Sequence, residues 1–216
     1  MSKAPRTPRS KKSLKRKPPK LSGDLILIVC EGEKTEPGYF MALRKRWKIP
    51  RAQIDVCGQE CGSDPGSVVT YARDKSKQPR DDGLRYDQAW CVMDADDHAN
   101  LSAALNTAKA NNLNVCMSVP CFEFWFLLHF EYTTRSFENS AALIGCLRKH
   151  LPNRMYNKSS PPIRRLMPLI ETALNNARRV REDNERAARD NPQTDVDKLV
   201  LNLLNIKDTY AHQGAD

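Results

Sequence analysis

The strongest constraint on the fold is an alternation that runs to residue 132: short β-branched apolar runs, each followed by a turn and a stretch of helical periodicity. Residues 24–30 (DLILIVC) form an unbroken apolar run behind one acid, the pattern of a strand buried on both faces of a parallel sheet. The acidic hexapeptide Glu31-Gly-Glu-Lys-Thr-Glu36 follows, then Pro37 and an apolar helical face of Tyr39, Phe40, Leu43 and Trp47. Proline suits a first helical turn, so the hexapeptide reads as a strand-to-helix loop. The same alternation predicts strands over 53–57, 88–93 and 114–119, and helices over 65–77, 101–111 and 122–130. It implies an α/β fold: a mainly parallel sheet with helices on both faces.

After residue 132 no strand is expected. Helical candidates cover 138–150 and 163–189. A further start is read at Thr194, as N-cap, with Asp197 three residues on, ahead of a stripe of Leu199, Val200, Leu203 and Leu204. This divides the chain into a tail (1–23), an α/β core (24–132) and a helical part packed on that core (133–216). A length of 216 residues suits one compact domain with a small helical extension. No run reaches the ~18 apolar residues of a membrane span, and the basic start lacks a secretory pattern.

Of the 35 Lys and Arg residues, nine fall in 1–23, which hold no acid; the remaining 26 bases match 26 acids. The net charge of +9 is therefore a property of the tail. Such a Pro- and Ser-rich basic segment cannot pack a core and is expected to be disordered. Lys11, Lys12, Lys15, Arg16 and Lys17 are its candidates for phosphate contact; a solvated tail that only aids solubility is the other reading. The seven cysteines are odd in number and several lie in apolar runs, which fits a reducing cytoplasm. Cys57 and Cys61 are the one close pair, without the second pair or His cluster a zinc site needs.

Ligands of open parallel sheets bind beyond the carboxyl ends of the strands. Glu31 lies at such an end, and so do Asp94 and Asp96. If the two strands are neighbours, three carboxylates converge, and they cannot all stay ionised without a compensating charge. A hard cation such as Mg²⁺ (or Mn²⁺) supplies it and can stabilise charge on a phosphodiester. The competing reading is that these acids are turn residues or helix caps, which is the preferred one for Asp97 and His98. No Gly-rich phosphate loop of the Walker type is present, which argues against ATP hydrolysis by this chain.

Three segments resemble the motifs of the RloB family: residues 29–40 (VCEGEKTEPGYF), 92–97 (VMDADD) and 118–130 (SVPCFEFWFLLHF), in the same order and spacing. The similarity spans roughly residues 24–210. The resemblance, shared with AbiLii-like proteins, implies a Toprim-like core and a role in phage defence (abortive infection). It also implies a nearby ABC- or AAA-type ATPase as partner. Glu31 then takes the Toprim glutamate position, and Asp94 and Asp96 the Asp-x-Asp positions that hold Mg²⁺. The implied activity is a metal-dependent nuclease acting on RNA, such as tRNA, or on DNA.

Glu123 within the third motif is a candidate fourth ligand or general base, against a helix-terminal acid meeting the dipole. His129 is a candidate phosphate contact or proton shuttle, against a satisfied core histidine. Lys34 could steady Glu36, or reach a scissile phosphate and neutralise charge on the phosphoryl group. A basic cluster (Lys158, Arg164, Arg165, Arg178, Arg179, Arg181) could line a nucleic-acid groove, although Glu182, Asp183 and Glu185 favour a solvated helix face. The alternative to an enzyme is a non-catalytic module that binds nucleic acid or the ATPase.

Overall fold

The structure, a computed structural model, describes residues 24–50, 54–81, 83–95 and 101–213. Residues 1–23, with Lys11, Lys12, Lys15, Arg16 and Lys17, lie outside the described residues, as do Asp96, Asp97 and His98. Five strands form one sheet: β1 (Ile26–Cys30), β2 (Ile54–Cys57), β3 (Gln88–Asp94), β4 (Asn114–Val119) and β5 (Gln193–Thr194). Their order is β2-β1-β3-β4-β5. The first four run parallel, with Ile28 opposite both Val56 and Trp90, and Val92 opposite Cys116. This is an α/β sheet, as expected, and its connectivity is consistent with a Toprim-like core.

Helices α1 (Thr35–Arg46), α2 (Pro65–Lys77) and α3 (Leu101–Ala110) make the crossovers. Right-handed crossovers that first step to one side of β1 and then to the other must lie on opposite faces. Accordingly α1 packs against Ile26, Ile28 and Cys30, whereas α2 and α3 pack against Leu27 and Val29. The side of α2 and α3 is thin, built from Val68, Val69, Ala72, Ala104 and Ala108. The α1 side is thick and aromatic. It also receives α4 (Glu123–Leu128), α5 (Ser140–Leu147), α6 (Ile163–Leu166), α7 (Ile170–Ala187) and α8 (Val196–Gln213) in one continuous apolar layer. Tyr39, Phe40, Phe122, Trp125 and Phe126 are fully buried there, each burial contributing roughly 1.5–3 kcal/mol.

Local chemistry sets the boundaries. Asp64 caps α2, its carboxylate accepting from Ser67 N at 3.1 Å with Pro65 in the first turn. Asn139 caps α5 through Ala142 N at 3.0 Å. Two expectations need correction. The hexapeptide is not wholly a loop, because α1 begins at Thr35 and takes Glu36 into its first turn. Strands do not stop at residue 132 either: β5 adds antiparallel to β4, pairing Thr194 with Ser118. Thr194 is therefore a strand residue; its Oγ1 accepts from Val196 N at 3.2 Å and bonds Ser118 Oγ at 2.9 Å. Asp197 turns away to bind Arg181.

Candidate functional site

The strand order reverses between β1 and β3, since β2 lies on one side of β1 and β3 and β4 on the other. The carboxyl ends of strands at such a switch point leave a crevice. Here the crevice is a cavity of about 370 Å³ lined by Glu31, Gly32, Glu33, Lys34, Thr35, Glu36, Ser63, Asp94, Glu123 and Lys158. Five carboxylates thus face two ammonium groups, so the cavity is strongly anionic before any ligand enters.

Backbone pairing places the first two acids. Glu31 N donates to Val92 O at 2.9 Å, continuing the β1–β3 ladder past the end of β1. The Glu31 carboxylate then turns across the gap, and its Oε2 accepts from Asp94 N at 3.1 Å. Glu31 and Asp94 therefore meet as expected at adjacent strand ends, both partly exposed. Their companion Asp96 lies outside the described residues.

Glu36 is the acid that reading the hexapeptide as a loop left without a role. It lies in the first turn of α1, is 7% exposed, and its carboxyl fills the space over Gly32. A Cβ on Gly32 would stand 2.1 Å from Glu36 Oε2, so glycine is what admits the carboxyl there. Burial raises the Glu36 carboxyl, its own backbone N–H pulls it back, and the Glu123 carboxylate raises it again. The net position is about 7, from an ordinary 4.5. A sequence signal existed: Glu36 shares the helical face of Tyr39, Phe40 and Leu43, and an acid on a buried stripe needs a reason.

Glu123 comes from the first turn of α4 and is 1% exposed. Tyr156 donates to its Oε1 at 2.8 Å, and Lys158 Nζ stands 3.5 Å away. Partial burial pulls the Lys158 ammonium down, and the surrounding carboxylates, Glu123 first, outweigh this and hold it above the usual lysine range. Lys158 is fixed through its backbone as well, because Thr35 Oγ1 donates to Lys158 O at 3.1 Å. Tyr156 and Lys158 belong to the helical part of the chain, so the cavity is closed by residues more than a hundred positions from β1. Lys34 also lines the cavity and is exposed.

His129 does not reach the cavity. It is 1% exposed, and its Nδ1 donates to Trp125 O at 2.9 Å; burial lowers it to about 4, against the pull of that carbonyl. It is a neutral core histidine packed edge-on against Trp125 and Tyr39. The arginines of α7 do not form a groove at the site. Arg181 grips both oxygens of Asp197 at 2.6 and 2.7 Å, Arg178 pairs with Glu182 at 3.5 Å, and Arg179 stacks over Tyr132 at 4.1 Å.

Among the described residues, no group of three or more Asp, Glu, His or Cys side chains is gathered closely enough to hold a metal ion, and this covers Cys57 and Cys61. The donor chemistry of the cavity nonetheless fits a hard divalent cation. Every potential ligand is an oxygen, with no His or Cys in the lining, and the acids outnumber the local cations. Among the described residues no helix is long and apolar enough to cross a membrane. No curated protein and no solved structure matches the chain. The family model described as RloB-like protein matches residues 26–203, which takes in all four parallel strands and the start of α8, and the chain belongs to that family.

Proposed function

We propose that the protein is a divalent-metal-dependent nuclease, acting in the cytoplasm as an RloB-like effector of phage defence together with an ABC- or AAA-type ATPase. The observation that carries this reading is that Glu31, Glu36, Asp94 and Glu123 all line one cavity at the strand switch point. Glu31 and Asp94 would hold Mg²⁺ or Mn²⁺, with Asp96 as the next acid along the chain. The cation would supply electrostatic stabilisation of a phosphodiester undergoing attack. Glu36 sits near 7, the range in which a carboxyl can both take and return a proton at neutral pH, and is the candidate general acid–base group. Lys34 at the rim offers its charge to an incoming phosphate. The basic tail (Lys11, Lys12, Lys15, Arg16, Lys17) adds sequence-independent attraction for RNA or DNA. Seven cysteines without disulfides fit a reducing compartment.

A second reading has two observations in its favour. Glu123 already spends its charge on Lys158 and Tyr156, and Glu31 accepts from Asp94 N, as they would in a cavity serving structure or binding alone. Incubation of the protein with Mg²⁺ or Mn²⁺ and a tRNA pool, single-stranded RNA or plasmid DNA separates the two. Cleavage that vanishes with EDTA and in Glu31→Gln and Asp94→Asn is the expected result. Cleavage unaffected by both substitutions would end the assignment of this cavity as the catalytic centre.

A further inference from the structure

The segment from Met155 to Pro162 crosses from the helical part to the mouth of the cavity, and two hydrogen bonds pin it there. Tyr156 donates to Glu123, on α4, and the Lys158 carbonyl accepts from Thr35, on α1. Thr35 is 6% exposed and Glu123 1%, so both anchors are fixed points of the core. The strap presents one charged side chain to the cavity, Lys158, whose ammonium is 3.5 Å from Glu123 while the side chain stays 60% exposed. A structural counter-ion for a buried acid would be expected to sink with it. This one has its backbone anchored and most of its side chain in solvent beside an anionic cavity, so its ammonium can turn to an incoming anion while Tyr156 keeps its hydrogen bond to the Glu123 carboxylate.

We infer that Lys158 is a substrate-contacting residue, binding the phosphodiester of a nucleic acid at the cavity mouth and exchanging its Glu123 pairing for a phosphate oxygen. The inference rests on the nucleic-acid reading above but not on cleavage. Tyr156 is a positioning residue: it holds the Glu123 carboxylate, and with it the end of the strap, in place.

The test is binding of a fluorescein-labelled phosphorothioate oligonucleotide, with Mg²⁺ present, by the full chain and by Lys158→Met, Lys158→Arg and Lys109→Met. Lys109 is exposed on α3 and outside the cavity, and its loss removes the same unit of charge. The expected result is a loss of roughly tenfold or more in Lys158→Met, with the salt slope reduced by about one. Lys158→Arg is expected to stay within about threefold of the parent, and Lys109→Met likewise. Equal losses in Lys158→Met and Lys109→Met would overturn the inference, reducing it to general charge, and so would failure of the parent to bind the probe at low salt. Lys158-dependent binding by a protein that cuts no RNA or DNA would sink the nuclease reading and leave this contact standing.

Discussion

Glu123 and His129 stand at the two ends of one short helix, both 1% exposed, and the protein treats them in opposite ways. Glu123 opens onto a cavity, receives a hydrogen bond from Tyr156, and faces an ammonium group delivered from a distant strap. His129 is sealed among Tyr39 and Trp125, satisfied on one nitrogen by a helix carbonyl, and its Nε2 has no hydrogen-bond partner among the described residues. Burial by itself therefore marks nothing. A buried acid cannot shed its charge cheaply at neutral pH, so it must be paired or wetted, whereas a buried imidazole simply stays neutral. What distinguishes the Glu123 end of α4 is the presence of other charges around a cavity.

The largest separation of the two regions comes from removing one group in each. Asp94→Ala is expected to reduce cleavage to the level without enzyme while the far-UV circular dichroism and melting midpoint stay near those of the parent. Trp125→Ala, in the aromatic layer, should instead cost about 3–5 kcal/mol of stability in urea denaturation. A collapse of stability in Asp94→Ala would mean that the cavity acids hold the fold rather than the chemistry.

Next in size is the pH response of Glu36. Its folded position near 7 lies above the ordinary 4.5, so between those values the folded state keeps a proton that the unfolded chain has lost. The stabilising contribution is complete below pH 4.5 and disappears as pH rises through 7, a loss of about 3 kcal/mol at ~1.4 kcal/mol per pH unit. Glu36→Gln should remove that slope, measured in EDTA from urea midpoints at pH 5 and 8. An unchanged difference between the two pH values would show that Glu36 is not the buried acid described.

The finest comparison is within α4 itself. Glu123→Gln should lower activity by about 10–100-fold, as loss of an orienting partner does, and leave the fold at least as stable, since a buried charge is gone. His129→Leu should do the reverse, costing about 1–2 kcal/mol for the orphaned Trp125 carbonyl and sparing activity per folded molecule. Equal effects on activity would erase the distinction between the two ends.

The part of the site legible in the sequence is the part built by neighbouring strands. Continuous apolar runs announce β1 and β3, and acids placed directly after them are carried to one edge by the parallel register, which is how Glu31 and Asp94 could be named together. Pro65 after Asp64 marks the start of α2 for an equally local reason. Glu36 was harder, because α1 starts without a capping side chain: Lys34 stands at the N-cap and makes no side-chain hydrogen bond there. Tyr156 and Lys158 lie in a stretch with no periodicity, and only the folded arrangement brings them to Glu123. The two-residue β5, directly after Pro192, is too short for any alternation to show.

We propose the cavity at the β1–β3 switch point as a divalent-metal site. Calorimetric titration of Mn²⁺ into the metal-free protein tests it without reference to any substrate. Saturable binding in the parent and its loss in both Glu31→Gln and Asp94→Asn are expected, with melting midpoints of the apo forms little changed. Binding of equal affinity in the parent and in both variants would contradict it.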